Sequence, residues 1–155
     1  MKNAPTEIND ESAPDKRDYT PGSLPTRHNT VRAGVLAMLL ESAVMTGMES
    51  VFAQSTTRLA AVIHAIATEY NWTFERKDVA AGTKDGRVAW ITTYWLPQQT
   101  IAMAFDLGAR EWVDRVKAAR ASARAKATKC KSEAARINAT LRRTDPRQGK
   151  LWGDM

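Results

Sequence analysis

The stretch Ser55–Tyr70, STTRLAAVIHAIATEY, restricts the fold more than any other part of the chain. Leu59, Val62, Ile63, Ile66 and Tyr70 recur at helical spacing, so they form one face of an α-helix. The opposite face carries Thr57, Arg58, Ala61, His64, Ala65 and Thr68, which are small or polar. Such a helix anchors one side in a core and leaves the other flat and able to hydrogen-bond. Taken alone it fits an ordinary amphipathic helix with a solvated back. The segments before and after it decide what that back is for.

Upstream, Asn29 caps a first helix over Thr30–Ser42, rich in Val35, Leu36, Leu39 and Leu40. Gly34 weakens this helix by roughly 1 kcal/mol relative to alanine, which burial must offset. Thr46 and Glu49 have the spacing of a capping box, so a short helix follows over Gly47–Ala53. Gln54, Ser55 and Thr56 then turn the chain into the long amphipathic helix. A short helix, a tight turn and a longer helix with a polar outer face make a helix-turn-helix layout.

Asn71 tolerates the left-handed conformation that ends a helix. Beyond it the period changes from helix to strand. Thr73–Val79 and Arg87–Leu96 are rich in β-branched and aromatic residues, and Asp85-Gly86 between them favours a hairpin. An isolated two-stranded hairpin is marginal in water, so it must pack on the helices. Trp90 and Tyr94 are expected in the core. Trp95 and Trp112 are expected to pack the C-terminal helix on the hairpin or on a second subunit. The fold class that results is mainly α with a small β-hairpin. It reads as a winged helix-turn-helix over residues 29–97, followed by a long basic helix over 98–143.

Residues Thr57–Val79, Gly86-Arg87-Val88-Ala89 and Tyr94-Trp95-Leu96 resemble a family of small winged helix-turn-helix proteins of proteobacterial genomes and prophages. The shared pattern is Thr-Arg-Leu opening the recognition helix, an isoleucine two turns on, a chain reversal with an aromatic, and a hairpin ending in Tyr-x-Leu. Asn71 stands where similar proteins have glycine. The resemblance spans about half the chain and implies DNA binding and regulation; a prophage origin is compatible with it. It does not account for the long basic helix or the N-terminal arm.

Charge is unevenly placed. The net charge of +6 hides a C-terminal block: Arg110–Lys150 has thirteen basic and four acidic residues, net +9, while Thr30–Ala109 is net −1. A block of this kind attracts polyanions, nucleic acid before anionic membrane. From Gln98 to Leu141 there is no proline. Only Gly108 stands to bend or split a helix that would otherwise run roughly 65 Å. Trp112, Val116, Ala119, Ala123, Ala127, Cys130, Ala134, Ile137 and Leu141 follow a heptad-like seam with one stutter, a dimerisation element in which Cys130 is a small packing residue. Residues 1–28, with four prolines and no apolar period, read as a disordered arm, and 144–155 as a flexible tail.

The candidate DNA-contacting residues follow from these placements. Gln54, Ser55, Thr56, Thr57 and Arg58 offer donors and acceptors at the start of the recognition helix, with Arg58 facing guanine. Ala61 permits close approach, and His64 reaches phosphate. Lys84 and Arg87 clamp backbone from the hairpin. Arg115, Arg120 and Arg124 add phosphate contacts from the basic helix. Double-stranded DNA and a second copy of the chain are the expected partners. Two rivals stand beside this reading: a protein-interaction module on the same scaffold, and nonspecific nucleic-acid binding by the basic helix alone.

A phosphate-binding GxxxxGK[ST] loop is absent, and no Ser/His/acid or Cys/His set stands out. With two histidines and one cysteine, neither catalysis, a metal site nor any cofactor is expected. The single cysteine, the N-terminus without a signal layout and the short apolar runs lead to the expectation of a cytoplasmic protein with no membrane partner.

Overall fold

A computed structural model describes residues 18–144. In chain order the elements are α1 (Val31–Leu40), β1 (Met45–Thr46), α2 (Gly47–Gln54), α3 (Leu59–Tyr70), β2 (Glu75–Gly82), β3 (Val88–Trp95), α4 (Gln98–Asp106), α5 (Ala109–Ala125) and α6 (Ala127–Thr144). The architecture is mainly helical, with a small antiparallel sheet.

Local chemistry sets the helix ends. The Thr30 hydroxyl, rather than Asn29, caps α1 by accepting from the Ala33 amide at 3.1 Å. The capping box of α2 is formed: the Glu49 amide donates to Thr46 Oγ1 at 3.3 Å, and the Thr46 amide donates to Glu49 Oε2 at 2.7 Å. Asn71 closes α3 with φ +59°. The expected start of α3 at Ser55 is corrected to Leu59. Ser55 takes a left-handed conformation, φ +56°, that ends α2. Thr56 Oγ1 accepts from the Arg58 amide at 3.2 Å, and Arg58 is the N-cap residue. Residues 55–58 are therefore a turn, and they reverse the chain before the helix begins.

The core gathers on α1, whose Val35, Leu36, Leu39 and Leu40 are fully enclosed. Leu59, Ile63 and Ile66 of α3, Ile101 and Ala104 of α4, and Ala109, Trp112, Val113 and Val116 of α5 close around it. Gly34 has a packing reason as well as a helical cost. A Cβ there would stand 2.1 Å from Gln54 Oε1, so glycine leaves the room in which the Gln54 side-chain amide lies against α1. Gly34→Ala is expected to lower stability by about 1–3 kcal/mol, despite alanine's better helix propensity, because the buried amide must shift. Chemical denaturation with an unchanged slope would measure it; a stabilised variant would refute the packing role.

The sheet has the order β1-β3-β2, so a third strand joins the expected hairpin. Met45 pairs with Tyr94, and Val79 pairs with Ile91. β2 begins and ends later than expected, running on to Gly82. Only the lower part of the hairpin touches the helices. Leu96 is buried and Tyr94 packs against the core, but Trp90 is 73% exposed and Val88 is 72% exposed. The expectation of a core Trp90 fails because Ala80–Gly82 and Val88–Trp90 pair with each other beyond the helical body.

The expected single long helix is three. Gly108, with φ +92°, separates α4 from α5, so that both can turn an apolar face into one core. Lys126 ends α5, and α6 follows with every residue from Ala127 to Leu141 exposed. Cys130 is exposed rather than packed.

The arm also differs from expectation. Residues 18–28 form an ordered strap, while residues 1–17 and the tail at 145–155 lie outside the described residues. Ser23 N donates to Tyr70 O at 2.8 Å, Trp72 Nε1 to Ser23 O at 2.7 Å, and Trp112 Nε1 to Pro25 O at 2.8 Å. Trp112 thus packs the arm rather than the hairpin. Gly22 passes so close to the end of α3 that a Cβ would lie 2.1 Å from Tyr70 O.

Candidate nucleic-acid interface

The outer ridge of α3 is bare. Thr57, Arg58, Ala61, His64 and Thr68 are exposed, while Leu59, Ile63 and Ile66 on the opposite side are buried. Neither the hairpin nor α5 or α6 covers the ridge. The Thr68 hydroxyl donates back to His64 O at 2.9 Å, which keeps its oxygen fixed against its own helix. The exposed hydroxyls of Ser55 and Thr57 stand next to Arg58, so three of the four turn residues present polar groups at the N-terminal end of α3.

A channel runs along each flank of this ridge. On one side the strap and α1 face α3 across a cleft of about 610 Å³, lined by Arg27, Arg32, Arg58, Ala61, Ala65 and Tyr70 among others. On the other side the hairpin faces α3 across two hollows of about 400 and 260 Å³. The first is lined by Thr57, Ala60 and Ile91; the second by His64, Ala67 and Arg76. Arg32 pairs with Glu69, whereas Arg27 and Arg76 make no ion pair among the described residues.

The hairpin turn carries Lys84 and Arg87. Thr83 N donates to Arg87 O at 2.8 Å, and Gly86 supplies the positive φ of +80° that closes the turn. Arg87 Nε donates to Asp85 Oδ2 at 2.8 Å. The Thr83 hydroxyl, and then Arg87, hold the Asp85 carboxyl below its ordinary range. Both partners are exposed, so the pair is weak and exchangeable. Lys84 makes no ion pair among the described residues.

Three expected contact residues face inward or sideways instead. Gln54 is only 4% exposed, and its amide nitrogen lies 3.0 Å from Met38 Sδ. Arg120 Nη2 donates to Gln54 Oε1 at 2.9 Å, and an Arg124 guanidinium nitrogen donates to Ala53 O. Burial, and secondarily the charge of Arg124, push the Arg120 guanidinium below its ordinary value. Cations at the last carbonyls of a helix satisfy unpaired acceptors and oppose the helix dipole. Arg120 and Arg124 therefore tie α5 to the end of α2. The expectation that Gln54 meets a base and that these two arginines meet phosphate is corrected on that ground. The tie has a further consequence: α6 leaves the body beside the turn that presents Ser55–Arg58. Arg115, Lys126, Lys129 and Lys131 are exposed and make no ion pair among the described residues.

No family model, curated protein or solved structure matches this chain. Its function therefore has to be read from its own geometry. Among the described residues no helix is long and apolar enough to cross a membrane. Arg76 was not legible as a site residue in the sequence, and Arg27 was legible only as one basic residue of a solvated arm able to touch phosphate. Arg27 sits in what reads as a disordered arm, and Arg76 in a strand whose alternation gives no hint of the helix beside it.

Proposed function

We propose that this chain is a DNA-binding regulator of the winged helix-turn-helix type, with α3 reading the major groove. The observation that carries the proposal is the bare polar ridge Thr57, Arg58, Ala61 and His64 held over the buried Leu59, Ile63 and Ile66. The element order α1-β1-α2-α3-β2-β3 supports the same reading, because it places a hairpin beside the second helix of a helix-turn-helix pair. The major groove admits one α-helix, and an arginine there pairs bidentately with guanine. Arg58 reads a base, Lys84 and Arg87 take phosphate from the hairpin tip, and Arg115, Lys126, Lys129 and Lys131 supply sequence-independent attraction. The exposed seam Ala127, Cys130, Ala134, Ile137 and Leu141 supports pairing of two copies through α6.

Selection of bound duplexes from a random pool at fixed salt tests the reading. Arg58→Ala is expected to relax preference at one base pair by roughly 1–3 kcal/mol and to leave affinity for unrelated duplexes nearly unchanged. Equal loss on every duplex would remove Arg58 as a reader.

One observation favours a protein-interaction module instead: Trp90 and Val88 stand exposed together on the hairpin, across from the small Ala80 and Gly82. A salt-insensitive protein partner combined with no retardation of any duplex would support that alternative.

A further inference from the structure

The two channels beside α3 have opposite walls of different origin, and each wall carries one arginine with no ion pair among the described residues. We infer that Arg27 of the strap and Arg76 of β2 hold the two phosphodiester strands that border the groove entered by α3. The inference rests on the DNA-binding reading above and adds the residues that seat α3 between the strands.

Arg27 is placed by rigid structure. Two residues before it, Pro25 is buried, and its carbonyl accepts the Trp112 indole N–H at 2.8 Å. Four residues before it, Ser23 is held through its amide by Tyr70 O and through its carbonyl by the Trp72 indole. Three residues after it, Thr30 caps α1 and turns its hydroxyl toward Arg27 O. The backbone at Arg27 is thus fixed on both sides, while its side chain is exposed at the rim of the strap-side cleft. Arg58 lines the same cleft from α3. Among the described residues no carboxylate lines this cleft, and Arg32 is paired with Glu69 beyond it, so the lining keeps a net positive charge.

Arg76 occupies the other flank. It pairs in register with Tyr94 near the anchored end of the hairpin, not at its projecting tip. It lines the hollow that also holds His64 and Ala67 of α3. Its backbone is therefore fixed by the sheet, and the helix ridge lies between Arg76 and Arg27. A helix in the major groove has a phosphodiester strand on each side, and most protein–DNA hydrogen bonds go to those backbones and set register rather than sequence. An arginine on each flank fits that task, since its fork matches phosphate oxygens.

The test uses the full chain, with Arg27→Ala, Arg76→Ala and the double variant, on a duplex taken from the selection and on a random duplex. Each lost phosphate contact lowers the slope of log affinity against log salt by about 0.9. Each single variant is expected to reduce the slope by about one contact, and the double by about two, equally on both duplexes. Per arginine, the affinity lost between 50 and 200 mM salt then shrinks by about 3.5-fold. Unfolding midpoints matching the parent chain ensure that affinity alone is being compared. An unchanged slope in the double variant, while Arg58→Ala still shifts preference, would overturn this inference and leave the reading of bases intact. Inorganic pyrophosphate binding that Arg27→Ala abolishes, with the DNA slope unchanged, would also overturn it and assign the strap-side cleft to a small anion. A parent chain that retards no duplex would remove both.

Discussion

Trp112→Ala is expected to destabilise the protein by about 3–5 kcal/mol, the range for removing a buried indole. Trp112 is 4% exposed and joins three parts of the chain. Its ring belongs to the cluster formed with α1 and α3, its backbone is in α5, and its N–H donates to Pro25 O in the strap. Alanine would leave a cavity and also an unpaired carbonyl at a buried proline, and the second loss adds to the first. A small domain has only about 5–15 kcal/mol to lose, so the variant would sit near the edge of folding. Urea unfolding followed by circular dichroism measures the effect. Trp112→Phe separates the two terms, because it keeps most of the ring volume and loses the hydrogen bond; its expected cost is about 1–3 kcal/mol. A cost below about 1 kcal/mol for Trp112→Ala would contradict the anchoring of the strap.

What could be read from the sequence was what depends on near neighbours. The Thr46/Glu49 box, the left-handed Asn71 and the Asp85-Gly86 turn each involve residues a few positions apart, and the structure has all three. The burial of Leu59, Ile63 and Ile66 followed from helical period alone. Features set by distant partners were not legible. Gln54 looks like a polar turn residue until Arg120, 66 positions away, is found against it. Pro25 looks like part of a disordered arm until Trp112, 87 positions away, takes its carbonyl. Trp90 looks like core because strand period cannot show how far a hairpin projects beyond its helices. The exposed ridge of α3 lies between these cases: its polarity was visible in the residues, and its accessibility required knowing that neither the hairpin nor α5 folds over it.

Removing α6 by ending the chain after Ala125 is expected to leave the unfolding midpoint unchanged at protein concentrations too low for two copies to pair, and to weaken DNA binding on all sequences together. The first half follows from burial, because Ala127–Leu141 is exposed throughout and adds nothing to the core. A cut after Ala109 would not be informative, since it would take Trp112, Val113 and Val116 out of the core. The second half follows from charge. Among the described residues Lys126, Lys129 and Lys131 have no ion pair to give up, so each can neutralise a phosphate without breaking such a pair. Three such contacts amount to about 2.7 in the salt slope, or about 40-fold in the affinity change between 50 and 200 mM salt. The shortened chain should still favour selected duplexes over random ones, because Arg58 and the ridge beside it remain. If it binds neither, the basic helix is the whole binding element and α3 reads nothing. If it binds both as tightly as the parent chain, α6 has no part in holding DNA, and its exposed seam is left to the pairing of subunits.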